Sequence, residues 1–302
     1  MSPLEFASGL AVRYLDQDRI SALRNAYHTV RARMSPVLRR LYGTFDSAAL
    51  RENLERHIHG DFEILMVHSS VNHMAPMFTE TPLDLLRMLV ALCGPKRTLA
   101  MPAFYFGDPA IGGAYATFKQ RPRFDVRRTP SQMGLATELF RRMPGVVQSR
   151  HPLYRVAALG PLAAQLTAGH ERAACSVGLG TPFEFMALHE TQILGIGKSM
   201  QVLTQAHHVE HAMGDAYPVP HRPMAQPLDM ALVDGKDEIP FKLNDPSFEG
   251  RFNIWKLRAI MDREALREWT FHHVPMFAAR AKDVTERLRS AASRGITLYD
   301  RV

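Results

Sequence analysis

Gln192-Ile193-Leu194-Gly195-Ile196-Gly197, followed after a short spacer by Leu203-Thr204-Gln205-Ala206-His207-His208-Val209-Glu210-His211, is the stretch that decides the fold. The first part is an apolar run of strand length closed by glycine, and the second opens a helix. A strand, a glycine-bearing turn and a helix in succession are the building unit of α/β sheets. Such a unit presents a site at the carboxyl end of its strand. His207 and Glu210 are three apart, so on a helix they share one face. Imidazole can take a proton near neutral pH and a carboxylate can orient or charge-stabilise it, which makes His207 and Glu210 the candidate catalytic pair. Taken alone, a helical histidine is more often structural.

Upstream, Phe62-Glu63-Ile64-Leu65-Met66-Val67 reads as a strand ending in a turn, His68-Ser69-Ser70. Thr81 suits a helix N-cap and Pro82 its first turn, with Leu83, Leu86, Met88, Leu89 and Leu92 as the apolar face and Gly94-Pro95 as the stop. A strand follows at Thr98–Met101. Residues 105–130 read as a long connection with many breakers (Gly107, Pro109, Gly112, Gly113, Pro122). Loops of that length are more often functional than idle. A helix is expected from Leu135 to Arg142, a strand over Arg155–Gly160, a helix over Leu162–Ala168 and another after Thr181-Pro182.

Towards the N-terminus, residues 8–59 read as helical. Ile20, Leu23, Tyr27, Val30, Met34 and Leu38 recur at helical spacing, Ser35-Pro36 interrupts them, and Asp46 caps a helix through Leu50, Leu54 and Ile58. Towards the C-terminus, Met230–Val233 and Ile239–Leu243 read as a hairpin about Asp234-Gly235, and the chain beyond Trp255 as mostly helical. These elements give one α/β domain over residues 1–302: a helical extension (1–59), a catalytic core (60–215), and a hairpin with C-terminal helices (216–302). Its architecture is a central sheet flanked by helices.

Composition sets the class. The 302 residues are 46% hydrophobic and 22% charged, as in ordinary globular proteins. Two cysteines, Cys93 and Cys175, lack metal spacing and read as small buried fillers in a reducing compartment. The opening Met1–Phe6 has no basic region followed by an apolar core, and no apolar run is long enough to span a bilayer. A cytoplasmic protein without a membrane partner is therefore expected. The net charge of +7 favours anionic partners, but the basic residues are dispersed and no nucleic-acid motif is present.

The ordered set of motifs resembles the antibiotic N-acetyltransferase family, whose name members are aminoglycoside 3-N-acetyltransferases. The residues that carry the resemblance are Val67-His68-Ser69-Ser70, Met101-Pro102, Thr129-Pro130-Ser131-Gln132-Met133-Gly134, Glu138-Leu139-Phe140-Arg141 and Pro144-Gly145-Val146. They continue with Ser149-Arg150-His151-Pro152, Ala158-Leu159-Gly160-Pro161, Gly178–Phe183, Leu194–Gly197 and Thr204-x-x-His207-x-x-Glu210. They span about residues 60–215. The resemblance implies a fold distinct from the GNAT acetyltransferases, and transfer of an acyl group from acetyl-CoA or another acyl-CoA, as co-substrate, to a small-molecule primary amine. It places the catalytic histidine on His207 and the nearby acid on Glu210. It turns His68, Ser69 and Ser70 towards the thioester and lines the coenzyme A groove with Thr129, Ser131, Met133 and Gly134. Where the family commonly has a glycine-rich stretch, this chain has Val71-Asn72-His73-Met74-Ala75-Pro76. Homodimer formation is left open.

The residues agree with that chemistry. An ammonium is not a nucleophile until it loses a proton, which a histidine can remove, and Ser69, Ser70 or backbone N–H groups beside them can stabilise the oxyanion. No nucleophile elbow or reactive cysteine is visible, so direct attack is expected.

The acceptor is expected to be a biosynthetic amine such as a nucleotide-linked amino sugar, for two reasons. Lys119, Arg121, Arg123, Arg127 and Arg128 outnumber Asp108 and Asp125 in the long loop. Arg294–Tyr299 also resembles the end of family members acting on sugar nucleotides. The alternative acceptor is an aminoglycoside drug. A distant alternative is a zinc metallohydrolase, because His207-His208-Val209-Glu210-His211 matches H-x-x-E-H. His208 and His211 are otherwise expected to be ordinary surface or supporting residues.

Overall fold

The computed structural model describes residue 26 and residues 29–58 and 61–300. The expected helical positions Ile20, Leu23 and Tyr27 lie outside the described residues. Helices α1 (Ser35–Tyr42) and α2 (Ser47–His57) precede the sheet. Pro36 sits in the first turn of α1, where its missing N–H costs nothing. The Asp46 carboxylate accepts from the Ala49 N–H and starts α2, which buries Leu50 and Leu54.

In chain order the first strands are β1 (Ile64–Ser69), β2 (Thr98–Pro102), β3 (Arg123–Asp125), β4 (Val147–Gln148), β5 (Val156–Leu159) and β6 (Thr191–Ile196). Then come β7 (His221–Arg222), β8 (Leu228–Asp234), β9 (Asp237–Leu243), β10 (Ser247–Phe248), β11 (Arg251–Phe252), β12 (Leu266–Phe271), β13 (Val274–Arg280) and β14 (Tyr299–Asp300). Seven of these form the central sheet, in the order β12-β13-β6-β1-β2-β5-β4. β1 runs parallel to both β2 and β6, whereas β5 and β13 join antiparallel on either side. The carboxyl ends of β1, β2 and β6 therefore open on one edge of the sheet.

The central strands are buried on both faces, which is why they read as unbroken apolar runs. Strand alternation divides them between two cores. Leu65, Val67, Leu99, Met101, Leu194 and Ile196 pack with α2, with α3 (Pro82–Cys93) and, beyond α4 (Ala114–Gln120), with α5 (Leu135–Phe140). Ile64, Met66, Ala100 and Ile193 pack on the other face with α6 (Pro182–Leu188), α7 (Gln205–Met213) and α8 (Ala281–Ala292). Helix α3 starts with a reciprocal capping box between Thr81 and Asp84. It buries Leu85, Leu86, Met88, Leu89, Leu92 and Cys93, each large apolar side chain contributing about 1.5–3 kcal/mol. Leu83, expected in that face, is exposed.

Two expectations are corrected. The segment 105–130 is not a bare loop. It contains α4 and β3, and β3 pairs with β8 in a second sheet, β3-β8-β9, over a core of Phe118, Phe124, Leu232 and Phe241. The Asp234-Gly235 hairpin forms as expected, but as part of that sheet. The chain beyond Trp255 is not mostly helical, because β12 and β13 form a hairpin that extends the central sheet. Its turn residues, His272 and His273, both take positive φ (47° and 61°). That conformation normally announces itself by Gly or Asn. Here Tyr42 holds it, stacking on His273 at 4.1 Å while its carbonyl meets His272 Nδ1 at 2.6 Å.

Candidate active site

Helix α7 opens after the carboxyl end of β6 and carries both members of the expected pair. His207 Nδ1 lies 2.7 Å from Glu210 Oε1. The Glu210 side chain is buried and that of His207 is 33% exposed, so the imidazole alone of the two reaches solvent. With Glu210 ionised, Nδ1–H donates to it and the Nε2 lone pair is left for an incoming proton.

Four aromatic residues wall this pair, none of them given a role by the sequence. The His207 ring stacks on Phe252 at 4.4 Å. The Tyr299 ring meets Phe252 at 5.5 Å, across the β11–β14 pairing. Tyr154 and Tyr217 complete the surroundings. Burial raises the phenol pKa of all three tyrosines, Tyr154 to about 12; the Glu210 charge comes next for Tyr217 and Tyr299, and after the Asp245 charge for Tyr154. Beside Tyr299 lies a cleft of about 940 Å³, lined by Pro218, Val219, Glu249, Lys256, Thr297 and Asp300 among others. Aromatic residues scattered from 154 to 299 have no shared motif, and only the fold assembles them.

The strand-end residues are placed differently from expectation. His68 and Ser69 belong to β1 and are not in a turn. His68 is a buried histidine at the end of β1, held down to about 3 by burial and then by Lys198, so it stays neutral. Ser70 is in the turn, but its N–H is already donated to Ile196 O. By strand alternation Ser69 faces the core of Leu65 and Val67, opposite the face that packs α7. The structure therefore does not set Ser69 against His207. The Ser69 hydroxyl is buried and has no hydrogen-bond partner, and so is that of Thr137 in the first turn of α5. Gly134, at the start of α5 with φ 98°, stands between them in the chain and approaches the Ser69 carbonyl. A buried hydroxyl without a partner fits a polar ligand segment.

The segment Thr129–Gly134 is knitted to the sheet. Arg155, fully buried, donates to the carbonyls of Ala103, Val126 and Thr129. Gln132, which the sequence did not single out, pairs with Phe104, Phe106 and Gly107. Glu138 accepts from Ser131 N and from Arg141, so Ser131 is engaged within its own loop. Met133 packs in the core shared with α7.

A second histidine pair lies beneath. His151 and His170 are buried and stack at 4.4 Å. Leu153 and Tyr154 N–H groups both donate to His151 Nδ1, so its proton sits on Nε2, towards Ser176, whose hydroxyl donates to Asp245. His170 Nε2 donates to Ser176 O and its Nδ1 accepts from Ser149. Both rings are neutral. His208, expected at the surface or in support, is buried against Val177 O. Burial lowers His211 to about 4.

Four of the five cations behind the charge argument for an anionic acceptor are already paired. Arg121 pairs with Asp108, Arg123 with Glu238, Arg127 with Asp234 and Arg128 with Asp125. Among the described residues no three His, Cys, Asp or Glu side chains stand together so as to hold a metal. No described helix is long and apolar enough to cross a membrane.

Known proteins share the fold, and a sequence family matches most of the chain. The family profile of aminoglycoside 3-N-acetyltransferases matches residues 66–292. Aminoglycoside N(3)-acetyltransferase III of Acinetobacter baumannii is 31% identical over 158 residues, 49% of this chain and 54% of that protein. The match thus spans about half the length of that curated relative. The crystal structure of aminoglycoside acetyltransferase AAC(3)-Xa superposes with a TM-score of 0.70 at 19% identity, over 90% of this chain and 99% of that one. The AAC-IIIb binary complex with CoASH superposes with a TM-score of 0.67 at 18% identity, over 85% and 99%.

Proposed function

Because the chain belongs to the aminoglycoside 3-N-acetyltransferase family, we propose that it transfers an acetyl group from acetyl-CoA to an amine of an aminoglycoside-type amino sugar, with His207 as general base. The observation that carries this reading is the His207–Glu210 contact at 2.7 Å, with the imidazole exposed and the carboxylate buried. The substrate ammonium loses its proton to His207 Nε2. The freed nitrogen attacks the thioester carbonyl carbon, the C–N bond forms, the C–S bond breaks, and coenzyme A leaves as its thiol after taking up a proton. Glu210 orients the ring and stabilises the imidazolium. The unmet Ser69 hydroxyl, with Gly134 near the Ser69 carbonyl, supports a place for the coenzyme at the β1–α5 junction.

Support for a polycationic acceptor comes from the relatives' names. Thiol release from acetyl-CoA, measured with gentamicin-like drugs and with nucleotide-linked amino sugars, tests the reading. Turnover with the drugs is expected, falling ~10²–10⁴-fold in His207→Ala. Turnover only with the anionic amines moves the protein to a biosynthetic role. Near-normal turnover in His207→Ala removes the base assignment.

A further inference from the structure

The helix that ends at Tyr42 turns one face to the body of the protein and another to solvent. Its hydrogen bonds continue upstream of α1 through Met34, whose N–H donates to Val30 O and whose carbonyl accepts from Leu38 N. One line of residues fastens it. Leu38 and Tyr42 pack against the core, and Arg31 and Arg39 donate to the carbonyls of His73, Ala75 and Pro76 in the segment after β1. About a quarter turn away, Val30, Met34, Val37 and Leu41 recur at spacings of four, three and four, which sets them in one line along the helix. All four are exposed, from 45% for Met34 to 67% for Leu41. In the sequence the same spacing runs back through Tyr27, Leu23 and Ile20. Between Asp18 and Asp46 the chain has six arginines and no carboxylate. Arg33 and Arg40 are exposed on the side of the stripe away from the body, and neither has an ion pair among the described residues.

We propose that this face of the helix docks the protein on an anionic lipid surface, with the apolar stripe at the boundary of the acyl chains and the arginines among the headgroups. An amphipathic helix whose charges are all basic lies along such a surface, drawn by apolar burial and by charge together. That no described helix can span a membrane does not bear on it, since a helix lying on a surface crosses nothing. Two features set a lipid surface above a protein partner. The stripe exposes a patch on the order of a few hundred Å², short of the ~800 Å² per partner of a standard protein interface. A second copy of the same helix would also bring arginine against arginine. The inference does not depend on the acetyl-transfer reading.

The test is flotation of the full chain with vesicles of phosphatidylcholine alone and of phosphatidylcholine mixed with phosphatidylglycerol, beside sedimentation velocity without lipid. The wild type should float with the anionic vesicles, stay behind with the neutral ones, and be released by salt. Arg33→Gln with Arg40→Gln should lower the partition coefficient about 25-fold, ~5-fold for each arginine. Val37→Glu with Leu41→Glu should abolish flotation while the Tm holds, because both side chains are exposed. Absence of wild-type flotation with the anionic vesicles overturns the inference, as does flotation that neutral vesicles support equally or that the arginine pair does not alter. Self-association that Val37→Glu with Leu41→Glu removes, without lipid binding, overturns it in favour of a seam between two copies.

Discussion

Mild acid should loosen this protein well before its carboxylates are titrated. Burial lowers His170 to about 4 and His68 to about 3, against about 6.5 in an unfolded chain. The folded state therefore binds fewer protons than the unfolded state between these values, and stability rises with pH through that window. The contribution is fully present above about pH 6.5 and is lost as pH falls below it. From pH 7 to pH 5 each histidine should remove about 2 kcal/mol, or roughly 4 kcal/mol for the two. His151 adds in the same direction, since burial and the stacked His170 hold it well below its ordinary value. Its Nδ1 already receives two N–H donors, so a proton there has no acceptor. Asp245 works the other way. Burial raises its pKa, so on acidification it gains a proton earlier in the folded state than in the unfolded one. The net expectation is a fall in Tm of about 6 °C between pH 7 and pH 5, read by calorimetry at constant ionic strength. In His170→Gln the starting Tm is lower, and the fall should shrink by about half. A Tm that moves by less than about 3 °C, or an undiminished fall in the variant, would refute the reasoning.

Other perturbations address the coenzyme side. Arg155→Met removes the donors to three buried carbonyls, offset by relief of a buried charge, and should cost about 2–4 kcal/mol in urea unfolding with a raised KM for acetyl-CoA. Unchanged stability would show that Arg155 is not a clamp. Ser69→Ala deletes an unpartnered hydroxyl, so Tm should hold or rise slightly while the acetyl-CoA KM increases; a KM equal to wild type means that the hydroxyl meets no ligand. In Gly197→Ala the new Cβ would stand 2.6 Å from the Ser70 carbonyl at a φ of 68°, and a loss of about 2–4 kcal/mol is expected by denaturant titration. A melt like that of wild type would mean that this turn yields freely.

The parts legible in the sequence were those where one local signal decides. Thr81-Pro82 starts α3, Asp234-Gly235 turns a hairpin, and His207 and Glu210 share a face because three residues of helix bring them there. The β12–β13 hairpin was hidden because its left-handed turn is made of two histidines stabilised by Tyr42, a contact across 230 residues. His68 was misplaced for a related reason. A polar residue at the end of an apolar run reads as a turn, yet β6 pairs with it and Phe277 covers it. Phe252 could not be found locally, since nothing near it names a partner in α7.

The parallel pairing of β3 with β8 has a consequence for how the molecule is made. Arg123 lies opposite Ala231, so the strand that leads into Thr129–Gly134 has no partner until about a hundred more residues have left the ribosome. At roughly 5–20 residues per second that is a wait of several seconds, during which Phe118, Phe124 and Val126 lack the apolar cover that β8 and β9 supply. Parallel contacts between distant segments are slow to close. This corner is therefore where a nascent chain would meet chaperones, and where slowed translation or a destabilised β8–β9 hairpin would lower the yield of active protein without changing any residue of the active site.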